Sequence, residues 1–375
     1  MSAADRDERR VFLTLDGLRG VAAVFVAMRH TPFFHGLGIQ SGYLAVDLFF
    51  VLSGFVIAHA YQRRLEQGLA PTRFLALRYL RLWPVYALGA ALGVVSALCH
   101  AMPGKEALGP SEIARAAPLA VAMLPGPAVR QMLYPLNTVA WSLAFELLIN
   151  LVYAFTWRGL RTPRVLPAVL AVSAAVLAFT VWWFGKLDVG FTWTNAWGGL
   201  PRVTFSFAAG LAVQRFYKAW PLRIGLSAWA PLAVLPVLLW KTPDPMIYPL
   251  FCVVAVFPPL VAVSAWTEPG RCSARLFAWL GAASYPLYAL HRPVAQLTAL
   301  GLYRTLPKLL HAGVLFAAPY MLVLLAICVL IERVYDRPVR KALSAGFERL
   351  MRIAQRRRTI HDRPAAEGLA AETRP

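Results

Sequence analysis

The side chains with chemistry to offer sit where a chain normally has none. The stretch Leu15–His30 reads as an apolar helix, yet it carries Arg19, Arg29 and His30. Ionisable groups in such a segment are costly and usually face a polar interior, which makes them functional candidates. Arg19 and His30 are eleven residues apart. At 3.6 residues per turn they return to nearly the same face, about 16 Å apart along it. Arg29 points about 80° away from Arg19 by the same geometry and need not share its role. Imidazole is the group that exchanges protons near neutral pH, and guanidinium the one that pairs with phosphates and carboxylates. The plain alternative is that Arg19 and His30 mark the two wetted ends of the helix.

Other candidates follow in the chain. Asp47 opens the next apolar run, Tyr43–Tyr61, at a depth comparable to His30. There it either fixes the imidazole tautomer as a carboxylate partner or simply favours a helix start. Arg78 and Arg81 are three apart and share a helical face before the third run; they suit a phosphorylated ligand or serve as an ordinary basic anchor. Glu146 falls inside the fourth run, one turn from Trp141 and Ser142. A carboxylate at that depth needs a partner, with Arg19, Arg29 or His30 available, or it is a structural helix-to-helix pair. Arg202 begins the sixth run, and His291 lies between Pro286 and Pro293 in the ninth. Those prolines predict a broken or kinked helix lining a cavity, with His291 either a second site residue or an interfacial one. Ser53 and Gly54 read as small residues that let helices approach closely.

The elements that must position these groups are membrane spans. The chain is 59% hydrophobic and only 15% charged, against about 25% for a soluble domain. Runs long enough to cross are predicted at 15–34, 43–61, 80–101, 136–157, 165–185, 200–216, 223–240, 247–266, 276–299 and 312–333. The run 113–124 is short and Pro-bounded and reads as re-entrant or interfacial. The formal net charge is +20, but its placement argues against nucleic acid. With both termini cytoplasmic, inner segments hold 27 of the 38 basic residues and outer loops seven, as the positive-inside rule requires. The first run carries Arg and His and no small-residue cleavage site, so it does not read as a signal peptide. The expectation is an all-α integral membrane protein, a polytopic bundle of about ten transmembrane helices over residues 1–335. A basic cytoplasmic tail, 336–375, follows and suits anionic membrane lipid. Cys99, Cys252, Cys272 and Cys328 are scattered and read as buried hydrophobes. No metal-ligand cluster, P-loop or G-x-S-x-G elbow is present.

Together the residues resemble a known family. Arg19-x10-His30, the run Val46 to Phe55, Arg78-x-x-Arg81, Trp141-Ser142-Leu143 leading to Glu146, and Ser284-Tyr285-Pro286-Leu287-Tyr288 leading to His291 look like the membrane-bound acyltransferase-3 family. The resemblance covers about residues 12–335 and implies ten spans in a bacterial inner membrane. It implies transfer of an acyl group, usually acetyl, from cytoplasmic acyl-CoA to a hydroxyl of a surface glycan or lipid-linked sugar, without a metal. By analogy His30 is essential, as general base or transient acyl carrier, with Glu146 or Asp47 orienting it. Arg19, Arg78 and Arg81 would hold the CoA, and Trp141, Ser142, Arg202 and His291 would line the substrate path. Phe145 is a departure, since many relatives carry a second acid there. Relatives often carry a further C-terminal esterase-like domain, and the residues after 335 read instead as the basic tail. A secondary transporter or lipid-linked glycan flippase is the competing expectation, because it also needs charges at depth. Against it, no inverted-repeat symmetry is evident.

Overall fold

The computed structural model describes residues 10–99, 108–127, 131–222, 224–307, 309 and 313–353. Arg6, Arg9, Lys105, Arg130, Arg223, Lys308 and the tail from residue 354 onward lie outside the described residues. Among the described residues the fold is all-α, with one isolated bridge, Met132 to Thr192. The helices are α1 (Leu13–His30), α2 (Ala45–Glu66), α3 (Pro71–Cys99), α4 (Pro110–Val121), α5 (Ala140–Leu160) and α6 (Val165–Phe184). They continue as α7 (Gly199–Ala219), α8 (Trp229–Trp240), α9 (Ile247–Trp266), α10 (Arg271–Thr305) and α11 (Val314–Ile331). Each of the ten long apolar runs falls on one of these helices, and 113–124 falls on the 12-residue α4. By length and composition alone, six of the helices can cross a membrane. This is a multi-pass membrane protein.

Outward faces are apolar and open. Trp182, Trp183, Phe155, Leu315 and Leu322 all expose more than half of their surface. Such area is unfavourable in water and favourable against lipid tails. The core is built on close backbone approach. A Cβ added to Gly54 of α2 would overlap the Phe207 carbonyl of α7, and one on Gly210 would overlap the Val51 carbonyl of α2. Glycine at both positions lets these helices pack backbone to backbone, where contact and not hydrophobic expulsion provides the attraction.

Successive connections lie at opposite ends of the bundle. At one end Arg161 pairs with Glu66 at 2.9 Å, Arg10 with Glu268 at 2.5 Å, and Arg73 with Glu348. At the other, the Gln40 N–H donates to the Trp240 carbonyl at 2.8 Å, and Leu133 to Phe191 at 3.0 Å. Alternation therefore places the N-terminal half of α1 at the arginine-rich end and His30 at the opposite one.

Two expectations change. α1 stops at His30 rather than reaching Phe34, because Thr31 precedes Pro32 and is pushed to extended geometry (φ −102°, ψ 120°). And α10 is not broken: it is helical throughout its 35 residues, with Pro286 and Pro293 inside it. Pro293 lacks the N–H that would bond the Ala289 carbonyl, and Asn137 Nδ2 donates to that carbonyl instead at 2.9 Å. The boundary at 335/336 also falls inside continuous structure. α11 runs on through a π-helical turn, Glu332–Asp336, as one helix to Ile353.

Candidate active site

Two cavities share a wall inside the bundle. The first, about 190 Å³, is lined by Arg19, Ser53, Arg78, Arg81, Glu146 and Tyr285 among apolar residues. The second, about 330 Å³, is lined by Arg29, His30, Tyr43, Trp141, Asp188 and Arg292. Val46 of α2 and Tyr288 of α10 line both. The Tyr288 hydroxyl bonds Ser142 Oγ and the Val139 carbonyl, which closes the partition.

The arginine chamber is a set of charge pairs. Arg78 donates to Glu146 Oε1 at 3.0 Å, and the Ser53 hydroxyl donates to the same oxygen at 2.9 Å. Arg19 pairs with Asp16 at 3.0 Å, and its Nε donates to Ser284 Oγ at 2.8 Å. Arg81 is held loosely, at 3.7 Å from Asp336 of the π-helical turn, and lies over the Tyr285 ring. Two buried donors here make no hydrogen bond: Arg78 Nε, and Arg81 Nη1, which faces Asp336 only at ion-pair distance. Buried donors without partners are expensive, so an anionic or carbonyl-bearing ligand fits this chamber.

The histidine chamber is organised differently. At the last residue of α1, His30 Nδ1 lies 2.9 Å from the Val26 carbonyl and 3.2 Å from His291 Nε2. His291 Nδ1 in turn faces the carbonyls of Leu287 and Tyr288 at 3.0 and 2.9 Å. A ring nitrogen facing carbonyls must carry the proton, so a neutral His291 presents a bare Nε2. Both groups facing His30 Nδ1 are then acceptors. His30 Nδ1 carries its proton, and His30 Nε2 is left with a free lone pair. That is the tautomer of a general base or nucleophile. Arg29, one residue before, pairs with Asp188 at 2.8 Å and packs over the Tyr43 ring.

The expected acidic partners of His30 are elsewhere. Asp47 and Arg202 form a fully buried bidentate pair, Nε to Oδ1 at 3.1 Å and Nη2 to Oδ2 at 2.6 Å. Arg202 also donates to the Val189 carbonyl at 2.6 Å and lies over the Trp141 ring. A buried guanidinium needs all of these partners, which takes Asp47 away from the histidine and makes Arg202 a strut, outside both linings. Glu146 is likewise engaged by Arg78 and lies across the partition from His30. Among the described residues no carboxylate pairs with His30; His291 and a backbone carbonyl take that place. Arg19 and His30, predicted on one stripe, line different chambers, while Trp141 and Ser142 lie on either side of the partition. Tyr43, Asp188, Arg292 and Asp336 were not singled out from sequence. The only available signals were an acid in the short connection 185–198 and a basic dipeptide, His291-Arg292, within an apolar run.

An all-helical membrane bundle with an unprotonated histidine nitrogen and unbonded arginine donors on either side of one wall is the kind of site that group transfer requires. The family model of the acyltransferase domain, Acyl_transf_3, matches residues 12–333, and the chain belongs to that acyltransferase-3 family. It is a membrane acyltransferase. "Protein 2 in picA locus" of Rhizobium radiobacter is 43% identical over 177 residues, which are 44% of this chain and 92% of that protein. The peptidoglycan O-acetyltransferase OatA of Listeria monocytogenes is 23% identical over 91% of this chain, which spans 58% of that protein. The putative membrane-bound transacylase BcsY of Komagataeibacter xylinus is 29% identical over 85% of this chain and 81% of its own length. No solved structure matches.

Proposed function

We propose that the chain is an O-acyltransferase of a bacterial inner membrane, moving an acyl group, acetyl in the first instance, from acyl-CoA to a glycan hydroxyl. The named activities of its relatives, peptidoglycan O-acetyltransferase and exopolysaccharide production, support a polysaccharide or lipid-linked sugar as acceptor. In this reading ten helices span the membrane with both termini cytoplasmic, and the basic tail rests on anionic lipid. The acyl-CoA enters from the arginine-rich end, with its phosphates at Arg19, Arg78 and Arg81. The unbonded donors of Arg78 and Arg81 support that placement. For the thioester to come beside His30, the wall formed by Val46 and Tyr288 must part to admit the pantetheine arm.

The observation that carries the reading is the free Nε2 of His30. It takes the proton of the acceptor hydroxyl as that oxygen bonds to the thioester carbon. The C–S bond breaks, and the imidazolium returns the proton to the departing thiolate of CoA. The same nitrogen serves a two-step route in which it first holds the acyl group. Glu146 keeps Arg78 in place and does not charge the imidazole. The test is incorporation of label from radiolabelled acetyl-CoA into envelope glycan by membranes holding wild-type protein or H30A. Label that depends on His30 is expected. Equal incorporation by folded H30A, or none from acetyl-CoA or a longer acyl-CoA in either membrane, overturns the reading.

A further inference from the structure

The arginines of the two chambers show a pattern with one exception. Arg19 has Asp16, Arg29 has Asp188, Arg78 has Glu146 and Arg81 has Asp336. The structural strut repeats it, with Arg202 on Asp47. Arg292, directly after His291 on α10, lines the histidine chamber with no hydrogen bond, ion pair or ring contact among the described residues. It is half-buried, so water cannot fully solvate it. An uncompensated charge in a membrane protein is retained where something binds to it.

We propose that Arg292 receives an anionic group of the acceptor, so that the substrate class is an acidic saccharide, bearing a carboxylate or a phosphate. This rests on the reading of the histidine chamber as the place where the acceptor hydroxyl meets His30. Guanidinium pairs with carboxylate or phosphate through two parallel N–H donors, which fixes orientation as well as affinity. A saccharide held this way by its charged group presents a ring hydroxyl to His30 Nε2 on the same chamber wall. The cavity, about 330 Å³, lies within the usual range of small-ligand sites. Tyr43, Trp141 and Phe191 add aromatic surface for the ring. The only carboxylate in the lining, Asp188, is already neutralised by Arg29, so the chamber keeps one net positive charge for an incoming anion.

The experiment uses the full chain in lipid nanodiscs with radiolabelled acetyl-CoA and three small acceptors: methyl glucuronide, methyl glucoside 6-phosphate and the neutral methyl glucuronamide. The wild-type protein is expected to prefer one or both anionic acceptors over the amide by about tenfold or more in kcat/KM, as a charge-assisted contact implies. Which anion is preferred identifies the source of the charge. R292Q should erase the preference by raising KM for the anionic acceptors, and R292K should keep part of it. Because Arg292 has no partner to lose among the described residues, size-exclusion profiles of both variants should match the wild type. Equal kcat/KM for all three acceptors overturns the inference, as does an R292Q that lowers kcat on all three alike, which would assign the guanidinium to the reacting oxyanion. Wild-type protein that labels envelope glycan but none of the three also overturns it, with the role of His30 intact. Loss of envelope labelling too would be failure of the acyl-transfer reading itself.

Discussion

Asp47→Asn separates a structural carboxylate from a catalytic one. Asp47 and Arg202 are both fully buried and share two hydrogen bonds, at 3.1 and 2.6 Å. Removing the negative charge leaves a guanidinium inside the bundle with only neutral acceptors, the new side-chain amide oxygen and the Val189 and Tyr43 carbonyls, and the Trp141 face around it. Breaking one side of a buried pair costs about 3–5 kcal/mol. At about 2 °C per kcal/mol for a chain larger than 150–250 residues, the unfolding midpoint should fall by about 6–10 °C. The chain carries its own reporter. Cys252 and Cys328 are buried while Cys99 and Cys272 are exposed, so a thiol-reactive dye on a C99A/C272A background follows unfolding directly. Replacing both partners, as D47L/R202M, should recover most of the loss, since no orphan charge remains. D47N protein that is still folded should transfer acyl groups with an unaltered pH profile, because Asp47 does not touch His30. An unchanged midpoint with transfer abolished would refute this reasoning and return Asp47 to the chemistry.

Other perturbations discriminate as sharply. R78Q/R81Q should raise the KM for acetyl-CoA about ten- to hundredfold, the value of a charge-assisted contact, while saturating donor restores much of the rate; a steady-state donor titration reads this. Gly54→Leu should cost about 3 kcal/mol or more, because the clash is with the Phe207 backbone and cannot relax; the dye assay would show early unfolding. Arg73→Ala should change the midpoint little, about 1 kcal/mol, since its pair with Glu348 is only partly buried and open to water. Asp244 accepts from the N–H groups of Ile247 and Met246 at 2.6 and 2.8 Å, which hold its carboxyl below the usual range. A carboxyl so depressed stabilises the fold above its unfolded pKa, and that contribution is lost as pH falls through the folded one. D244N should therefore flatten the acid limb of stability, measured as the midpoint between neutral and acid pH.

The architecture was legible because apolar length is a strong signal: each long apolar run corresponds to a helix, and even the short 113–124 run is its own short helix. The site was half legible. Residue types that are costly at depth pointed to Arg19, His30, Arg78, Arg81, Glu146 and His291, and all six lie in or against the two chambers. Pairing was not legible, because partners come from helices remote in sequence. Asp47 and Arg202 are 155 residues apart, and His30 and His291 are 261 apart. Helical spacing puts Arg19 and His30 on one helix, but it does not reveal that Val46 and Tyr288 wall them off from one another. Of the two outcomes that the prolines of α10 allowed, a break is avoided for a local reason: an amide from another segment, Asn137, satisfies the carbonyl that Pro293 leaves open.

The central claim is that His30 Nε2 is the reacting nitrogen, with its tautomer set by His291 rather than by a carboxylate. Transfer from radiolabelled acetyl-CoA by H30A, H291F and H291Q, measured side by side in the same lipid, tests it most directly. H30A should fall about 10²–10⁴-fold, the usual contribution of a general base. H291F should fall in part, and H291Q, whose side-chain oxygen can still accept from His30 Nδ1, should recover a share of that loss. Folded H30A with wild-type transfer would contradict the claim outright, and H291F indistinguishable from wild type would remove His291 from it.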